Sequence, residues 1–171
     1  MVMRKYIFNQ DLLGDIEEGR PNLGPTVDLD IYRLMQFTLR DVIEKHVGAD
    51  GADKIFYEAG KLAGVQFFNA YIGKSDNIEE FVQKAQAALR RKQVGVLRIE
   101  DVQLDGGKII LCVDEDLDCS GLPDLGFEVC VYDEGFVAAL LEEFSGQRWE
   151  VKEIDCWCTG GRTCRFQATR V

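Results

Sequence analysis

The spacing of apolar and polar residues divides the first half of the chain into helices. From Asp28 or Asp30, either of which suits a helix N-cap, apolar residues recur every three to four positions as far as Gly48. The same period predicts a second helix over residues 51–71 and a third over residues 77–91. Before them, residues 1–27 hold frequent glycine and proline around one apolar piece, Tyr6-Ile7-Phe8. We expect an irregular arm there, with one short strand at most, that could contribute to dimerisation.

The period changes to that of strands after the third helix. Residues 94–102 and 108–113 are rich in β-branched side chains, and Asp105-Gly106-Gly107 between them is typical of a hairpin turn. A fourth helix is predicted over residues 129–144, and two closing strands over residues 148–156 and 163–169. Because helices and strands are segregated, the order predicts an α+β fold with helices packed on a four-stranded antiparallel sheet.

Composition changes this picture little. The chain has 171 residues, of which 46% are hydrophobic, and this suits a single domain over residues 28–171 behind the arm. No apolar run approaches the roughly 18 residues of a membrane span, and no continuous apolar stretch follows the start of the chain. We therefore expect a soluble, cytoplasmic protein with no membrane span.

The net charge of −10 is concentrated in one segment. Residues 100–134 hold eleven carboxylates and one base, Lys108, whereas the rest of the chain is neutral. This balance would repel a phosphate backbone, so we expect no nucleic-acid partner. Residues 114–127 are predicted to form a solvated acidic loop, which lacks the glycine and terminal glutamate of a calcium-binding EF-hand loop.

Cysteines supply the strongest chemical signal. Five of the six lie between Cys119 and Cys164, and such a cluster in a reducing compartment favours metal binding over disulfides. The last hairpin would bring Cys156 and Cys164 together near Glu153, with Cys130 at the start of the fourth helix. Three thiolates and one carboxylate could complete a tetrahedral, structural Zn²⁺ site. The alternative is that these residues are buried free cysteines that act as small hydrophobes.

Four segments stand out: Ser120-Gly-Leu-Pro, Cys130-Val-Tyr-Asp-Glu-Gly-Phe, Glu153-Ile-Asp-Cys156 and Gly160-Gly-Arg-Thr-Cys164-Arg-Phe. Together they resemble the V4R (4-vinyl reductase) domain. The resemblance is strong over residues 94–169. It implies zinc on Cys130, Glu153, Cys156 and Cys164, in a zinc subdomain at about residues 119–169. An all-cysteine site that uses Cys158 instead of Glu153 stays open. Cys112 and Cys119 are expected to be structural or incidental thiols.

The resemblance also implies a fold similar to that of TRAPP vesicle-tethering subunits and a pocket for a small apolar or aromatic molecule. The second predicted helix has a face of small residues, including Gly64, which indicates close approach by another helix or by a ligand. The expected ligand-binding residues are Gly64, Phe67, Phe68, Tyr71, Phe81 and, less directly, Trp149. The His–Trp pair that holds the ligand hydroxyl in the family's phenol sensors has no counterpart here, and His46 is expected to be a solvated residue at a helix end.

Three functions remain at this point. The first is a ligand-binding sensory or regulatory module with structural zinc, a homodimer that acts on an output protein in trans. The second is a TRAPP-like interaction scaffold without a regulatory ligand, and the third an accessory protein in tetrapyrrole vinyl reduction. We expect no enzyme activity, because no Gly-x-Gly-x-x-Gly follows a strand and no serine lies in a nucleophile elbow.

Overall fold

The computed structural model describes residues 4–103 and 106–171. Within them, helices and strands are segregated along the chain as the hydrophobic pattern predicts, which confirms the α+β fold. The helices are α1 (Ile16–Gly19), α2 (Leu29–Val47), α3 (Ala49–Phe67), α4 (Ile78–Arg91) and α5 (Val131–Ser145). The strands are β1 (Val96–Gln103), β2 (Lys108–Asp114), β3 (Trp149–Asp155) and β4 (Cys164–Arg170). The predicted turn between β1 and β2 includes Asp105, which lies outside the described residues.

The helix ends follow local chemistry. The Asn77 side chain accepts a hydrogen bond from the Glu80 amide at the start of α4, and Gly146 in the left-handed region ends α5. The second predicted helix is interrupted, because α3 gives way to a π-helical turn at Phe68–Ile72. In the described part of the arm, a 3₁₀ turn at Gln10–Leu13 and α1 replace the short strand that the sequence allowed.

The four strands form one antiparallel sheet in the order β1-β2-β4-β3. A bulge in β1 between Ile99 and Asp101 shifts the register by one residue, so that Ile99 faces Leu111 and Val102 faces Ile109. Because side chains alternate between the faces of a strand, this shift turns Val102 to the same face as Ile99. The two ends of β1 therefore both contribute apolar side chains to the inner face of the sheet.

Three glycines allow α3 and α5 to cross at very short distance. A Cβ atom on Gly60 would lie 1.9 Å from the Tyr132 carbonyl oxygen, and one on Gly135 would lie 2.1 Å from the Tyr57 carbonyl oxygen. At Gly64 a Cβ atom would lie 2.5 Å from the Phe136 carbonyl oxygen. The small face of the second predicted helix therefore serves backbone-to-backbone packing, and it fixes where α5 begins.

The residues up to Leu39 and those from Arg40 onward form two compact units. In the first unit, α2 displays apolar side chains to solvent, among them Ile31, Leu34 and Met35. The second unit holds the sheet, α3 to α5 and the sites described below. Among the described residues, no helix combines the length and the apolar character needed to cross a membrane.

Candidate metal centre and adjoining cavity

Four buried cysteines converge beside the first turn of α5. The Sγ atoms of Cys119, Cys130, Cys156 and Cys164 all lie within 4.8 Å of one another. Each comes from a different part of the fold: the loop after β2, the N-cap of α5, the residue after β3 and the first residue of β4. A bulge in β3 between Glu153 and Asp155 precedes Cys156 and adjusts the direction of the chain there.

Three of the sulfur–sulfur distances match those of a tetrahedral metal–thiolate site. With Zn–S bonds near 2.3 Å, the sulfurs of a regular tetrahedron are about 3.8 Å apart. Cys130 Sγ lies 3.7 Å from Cys164 Sγ and 3.9 Å from Cys156 Sγ, and Cys156 Sγ lies 4.0 Å from Cys119 Sγ. The separation of Cys119 Sγ from Cys164 Sγ is shorter, at 2.9 Å. The four cysteines therefore fit a soft divalent metal such as zinc.

The electrostatics favour a cation at the same point. Hydrogen bonds from Cys119 and from the other two thiols lower the pKa of Cys156, while hydrogen bonding with Cys119 raises the pKa of Cys130 and Cys164. A metal bound by the four cysteines would take the place of their protons and release them.

Glu153, expected from the family resemblance as the fourth ligand, lies beside this cluster. Its Oε2 atom accepts a hydrogen bond from the Cys130 amide at 3.2 Å, and its own amide donates to Glu134 Oε1 at 2.9 Å. Its Oε1 atom is buried and has no hydrogen-bond partner among the described residues. Burial first, and then the negative charge of Cys156, raises the pKa of Glu153 to about 9. The structure thus brings together the three predicted cysteines and adds Cys119 to them.

The sequence predicts that Cys119 is a structural or incidental thiol and that the acidic loop that carries it is solvated. Instead, Cys119 is fully buried, and Asp116 and Asp118 are each only 3% exposed. Asp116 Oδ1 accepts hydrogen bonds from the amides of Asp118 and Cys119, and this turn directs the cysteine inward. The sequence feature that could have indicated this position is an aspartate, Asp116, three residues before Cys119 in the loop that follows a buried strand.

The remaining two cysteines have other surroundings. Cys158 is fully buried, and its carbonyl oxygen accepts hydrogen bonds from the amides of Leu125 and Gly126. Burial first, and then the charge of Cys156, raises the pKa of Cys158 to about 12. Cys112 lies on β2 near Glu100 and Arg165, on the opposite face of the sheet from Leu111 and Val113. It is therefore separated from the four-cysteine cluster.

An apolar cavity adjoins the cysteine cluster. It lies between α4, α5 and the inner face of β1 and β2, and has a volume of about 50 Å³. Sixteen of the eighteen residues that line it are apolar: Ile78, Phe81, Val82, Ala85, Leu89, Val94, Leu97, Ile99, Val102, Ile109, Leu111, Val113, Phe136, Val137, Leu140 and Leu141.

The two ends of the cavity differ. A surface depression shares Ile78, Val82, Ile99 and Val102 with it, which places the mouth at the start of α4 and the end of β1. The opposite end holds two carboxyl groups, those of Asp116 and Asp133. Their ligand oxygens lie within 4.8 Å of each other and of Cys130 Sγ.

The two carboxyl groups at this closed end share a low-dielectric environment. Burial first, and then the charge of Asp118, raises the pKa of Asp116 to about 7. The same two causes, in the same order, raise the pKa of Asp133 well above its ordinary value.

Of the six residues predicted to bind ligand, Phe81 lines this cavity, stacked on Phe144 at 4.5 Å between ring centroids. Gly64 lies at the crossing of α3 and α5. Phe67 packs edge-on against Tyr71 and Phe136, while Phe68 is buried next to Phe81. Phe67, Phe68 and Tyr71 therefore lie beside the cavity and are not among the described residues that line it.

Trp149 lies at the far end of α5 from the cysteine cluster. Its Nε1 atom donates to Ser145 Oγ at 2.9 Å, and its side chain belongs to the core. Apart from Phe81, the described residues that line the cavity were not among those predicted to bind ligand.

With this geometry established, known proteins can be compared. Residues 109–170, which include all four clustered cysteines, match the model of the V4R domain. The resemblance expected from the sequence is thereby confirmed over this segment. The uncharacterized protein MJ1642 of Methanocaldococcus jannaschii is 28% identical over 149 residues, which are 87% of this chain and 81% of that protein.

Three solved structures share the fold. A vinyl-4-reductase family protein from Methanocaldococcus jannaschii superposes with a TM-score of 0.64 and 17% identity, over 96% of this chain and 98% of that one. A trafficking protein particle complex subunit 3 from Naegleria fowleri, covalently bound to palmitic acid, superposes with a TM-score of 0.64 and 13% identity. The match covers 84% of this chain and 95% of that one. The phenol-responsive sensory domain of the transcription activator PoxR, with phenol, superposes with a TM-score of 0.58 and 16% identity. The match covers 78% of this chain and 71% of that one.

Proposed function

We propose that this chain is a sensory or regulatory module that binds a small apolar molecule in the cavity between α4, α5 and the sheet. The observation that carries the proposal is the cavity itself, whose wall is almost wholly apolar and whose closed end carries two acidic groups. Apolar walls with a few convergent polar groups are the usual composition of a small-molecule site. The output acts in trans, through a protein partner.

Two of the structural neighbours support this proposal. One is a sensory domain solved with phenol, and another carries palmitic acid, so the same fold accommodates an aromatic molecule and an acyl chain. Identity to both is below 20%, and the ligand class of this chain therefore has to be argued from its own cavity.

The proposal is tested by filling the cavity. Ala85 is buried on α4 and lines the cavity, whereas Ala87 on the same helix is exposed. We expect Ala85→Leu to weaken binding of a decyl compound, 1-decanol, at least tenfold in a calorimetric titration. Ala87→Leu is the matched control and should leave the affinity unchanged. If decylamine, 1-decanol, decanoate and ethylbenzene all fail to bind the wild-type protein, the ligand-binding function is refuted.

We propose further that Zn²⁺ is held by Cys119, Cys130, Cys156 and Cys164 and has a structural role, since four protein ligands leave no open position. Three sulfur–sulfur distances close to those of a thiolate tetrahedron, one of them from Cys156 to Cys119, support this ligand set. The set expected from the family resemblance has Glu153 in place of Cys119.

The two ligand sets give different results in cobalt-substituted protein, because the thiolate-to-metal charge-transfer absorption grows with the number of thiolates. With four thiolates, Cys119→Ser should lower this absorption and weaken metal binding, while Glu153→Gln should keep the absorption. Cys112→Ser, on the other face of the sheet, is the control and should retain both. If Cys119→Ser kept the absorption and metal binding while Glu153→Gln changed the spectrum and weakened metal binding, the Glu153 carboxylate would be the fourth ligand.

One observation favours a second function, that of an interaction scaffold. Along α2, apolar side chains at helical spacing are solvent-exposed: Ile31 (52%), Leu34 (62%), Met35 (63%), Leu39 (53%) and Val42 (48%). Contiguous exposed apolar surface of this kind marks contact sites for other proteins. We propose that a second copy of the chain covers it in a homodimer, the commonest closed assembly. Leu34→Glu should then convert a dimer to a monomer in sedimentation analysis, and a wild-type protein that sediments as a monomer would contradict this.

A further inference from the structure

We propose that the closed end of the cavity recognises a positively charged amino group, so that the ligand is an apolar amine. This inference rests on the proposed ligand-binding function and adds the chemistry of the ligand's polar end. The observation behind it is the pairing of Asp116 and Asp133, two carboxyl groups at the end of an otherwise apolar cavity.

Asp133 has a free hydrogen-bonding position at this end. Its Oδ2 atom is buried and has no hydrogen-bond partner among the described residues, although its side chain lines the cavity. A buried acceptor without a partner destabilises the fold, and a ligand that donates a hydrogen bond to it would remove that penalty. The Asp116 side chain is held in place by hydrogen bonds from the amides of Asp118 and Cys119. Its carboxyl group therefore has a fixed position beside the group that the ligand would donate to Asp133.

The surroundings of the two carboxyl groups are acidic. Asp118 and Glu153 are buried nearby, and four thiolates around a Zn²⁺ ion would carry a net charge of −2. Neither lysine, arginine nor histidine is among the described residues that line the cavity. Lys152 on β3 is paired with Glu134 at 2.9 Å. A negative potential therefore acts on any group that enters the closed end.

The chemistry distinguishes three common polar ends. A carboxylate would meet two acidic groups of like charge. A hydroxyl group has a single proton to donate and no charge. An ammonium group has three donors and a positive charge, which matches two carboxyl groups in one small space. Of the three, the ammonium group alone is complementary in both charge and hydrogen bonding.

The experiment compares decylamine, 1-decanol and decanoate, which have the same apolar chain and differ at one end. Calorimetric titration of the zinc-loaded protein should show decylamine binding at least tenfold more tightly than decanol, with decanoate weakest. Asp133→Asn keeps the shape of the side chain and removes the carboxyl group that could become charged beside an ammonium group. It should lower the affinity for decylamine at least tenfold and leave that for decanol unchanged. Asp101→Asn, an exposed carboxylate on β1 that does not line the cavity, is the control and should change neither.

The outcomes separate this inference from the proposed function. Equal affinity for the three compounds, or equal loss of decylamine and decanol in Asp133→Asn, would overturn the amine assignment and leave ligand binding intact. Retained binding of decanol also shows that the variant is folded, and Asp116→Asn offers a second test with the same expected result. A second metal ion per chain that is lost in Asp133→Asn would overturn the assignment as well, because the carboxyl groups would then hold a metal ion.

Discussion

The crossing of α3 and α5 gives a sharp prediction, because a single methyl group at Gly60 meets backbone. Gly60→Ala places a Cβ atom 1.9 Å from the Tyr132 carbonyl oxygen, 2.9 Å from its carbon and 3.0 Å from the Phe136 amide. Backbone atoms of a packed helix cannot turn aside as a side chain can. The two helices must therefore separate by more than 1 Å, since ordinary contacts of this kind lie near 3.4 Å.

The expected cost follows from this separation. A gap of 0.5–1 Å already removes about a quarter to a half of the dispersion energy at the contact, and overpacking in cores costs roughly 1–3 kcal/mol. Alanine also improves helix propensity by about 1 kcal/mol relative to glycine. Because the collision is with backbone, we take the upper end of the range and expect Gly60→Ala to lower the free energy of unfolding by about 2 kcal/mol net.

Urea unfolding of the zinc-loaded protein, followed by circular dichroism, measures this change. Ala59 is the neighbouring residue of α3 and is exposed, so Ala59→Gly reports the propensity term alone, at about 1 kcal/mol of destabilisation. If Gly60→Ala left the free energy of unfolding unchanged or raised it, the gain in helix propensity would equal or exceed the cost of the steric contact. The close approach of the two helices would then be refuted.

Two further predictions concern the metal and the acid response. Removal of the metal by a chelator should lower the melting temperature, because binding at a structural site contributes to folding; an unchanged melting temperature in reduced protein would contradict a structural role. The hydrogen bond from Arg98 lowers the pKa of Asp114, so the pair stabilises the fold at pH values above the ordinary pKa of the carboxyl group and loses this effect as the pH falls through the lowered pKa. Arg98→Gln should raise the pKa of Asp114 toward 3.8, as measured by carboxyl carbon NMR, and an unchanged value would rule out Arg98 as the cause.

The hydrophobic pattern sufficed for the elements but not for the way they pack. Periodicity predicts α2, α4 and α5 to within a few residues, because each carries a regular apolar face. It does not distinguish a face that packs on another backbone from one that lines a cavity. Gly64 and Phe67 therefore looked like parts of a ligand site, although α5 fills the space beside Gly64. The cavity is bounded by α4, α5, β1 and β2, whose apolar residues have the pattern of any core.

The candidate metal site was predictable where its ligands share one hairpin. Cys156 and Cys164 flank the connection between β3 and β4, and strand pairing brings such residues together. Cys119 lies in a loop of irregular structure, so its position depends on long-range packing and on the turn made by Asp116. The π-helical turn at Phe68–Ile72 depends in the same way on tertiary contacts, and no local sequence signal marks it.

The cavity has one closed polar end and one open mouth, and this shape would select ligands by length. From Leu89 near the closed end to Ile78 at the mouth, α4 rises about 17 Å along the cavity wall. A chain anchored at Asp133 would gain about 0.8 kcal/mol with each added methylene group while it still extends along that wall. Beyond the mouth, further methylene groups would enter water and contribute nothing. The affinity of a homologous series should therefore rise with chain length and then level off, and the length at which it does so would measure the distance from the two carboxyl groups to the surface of the domain.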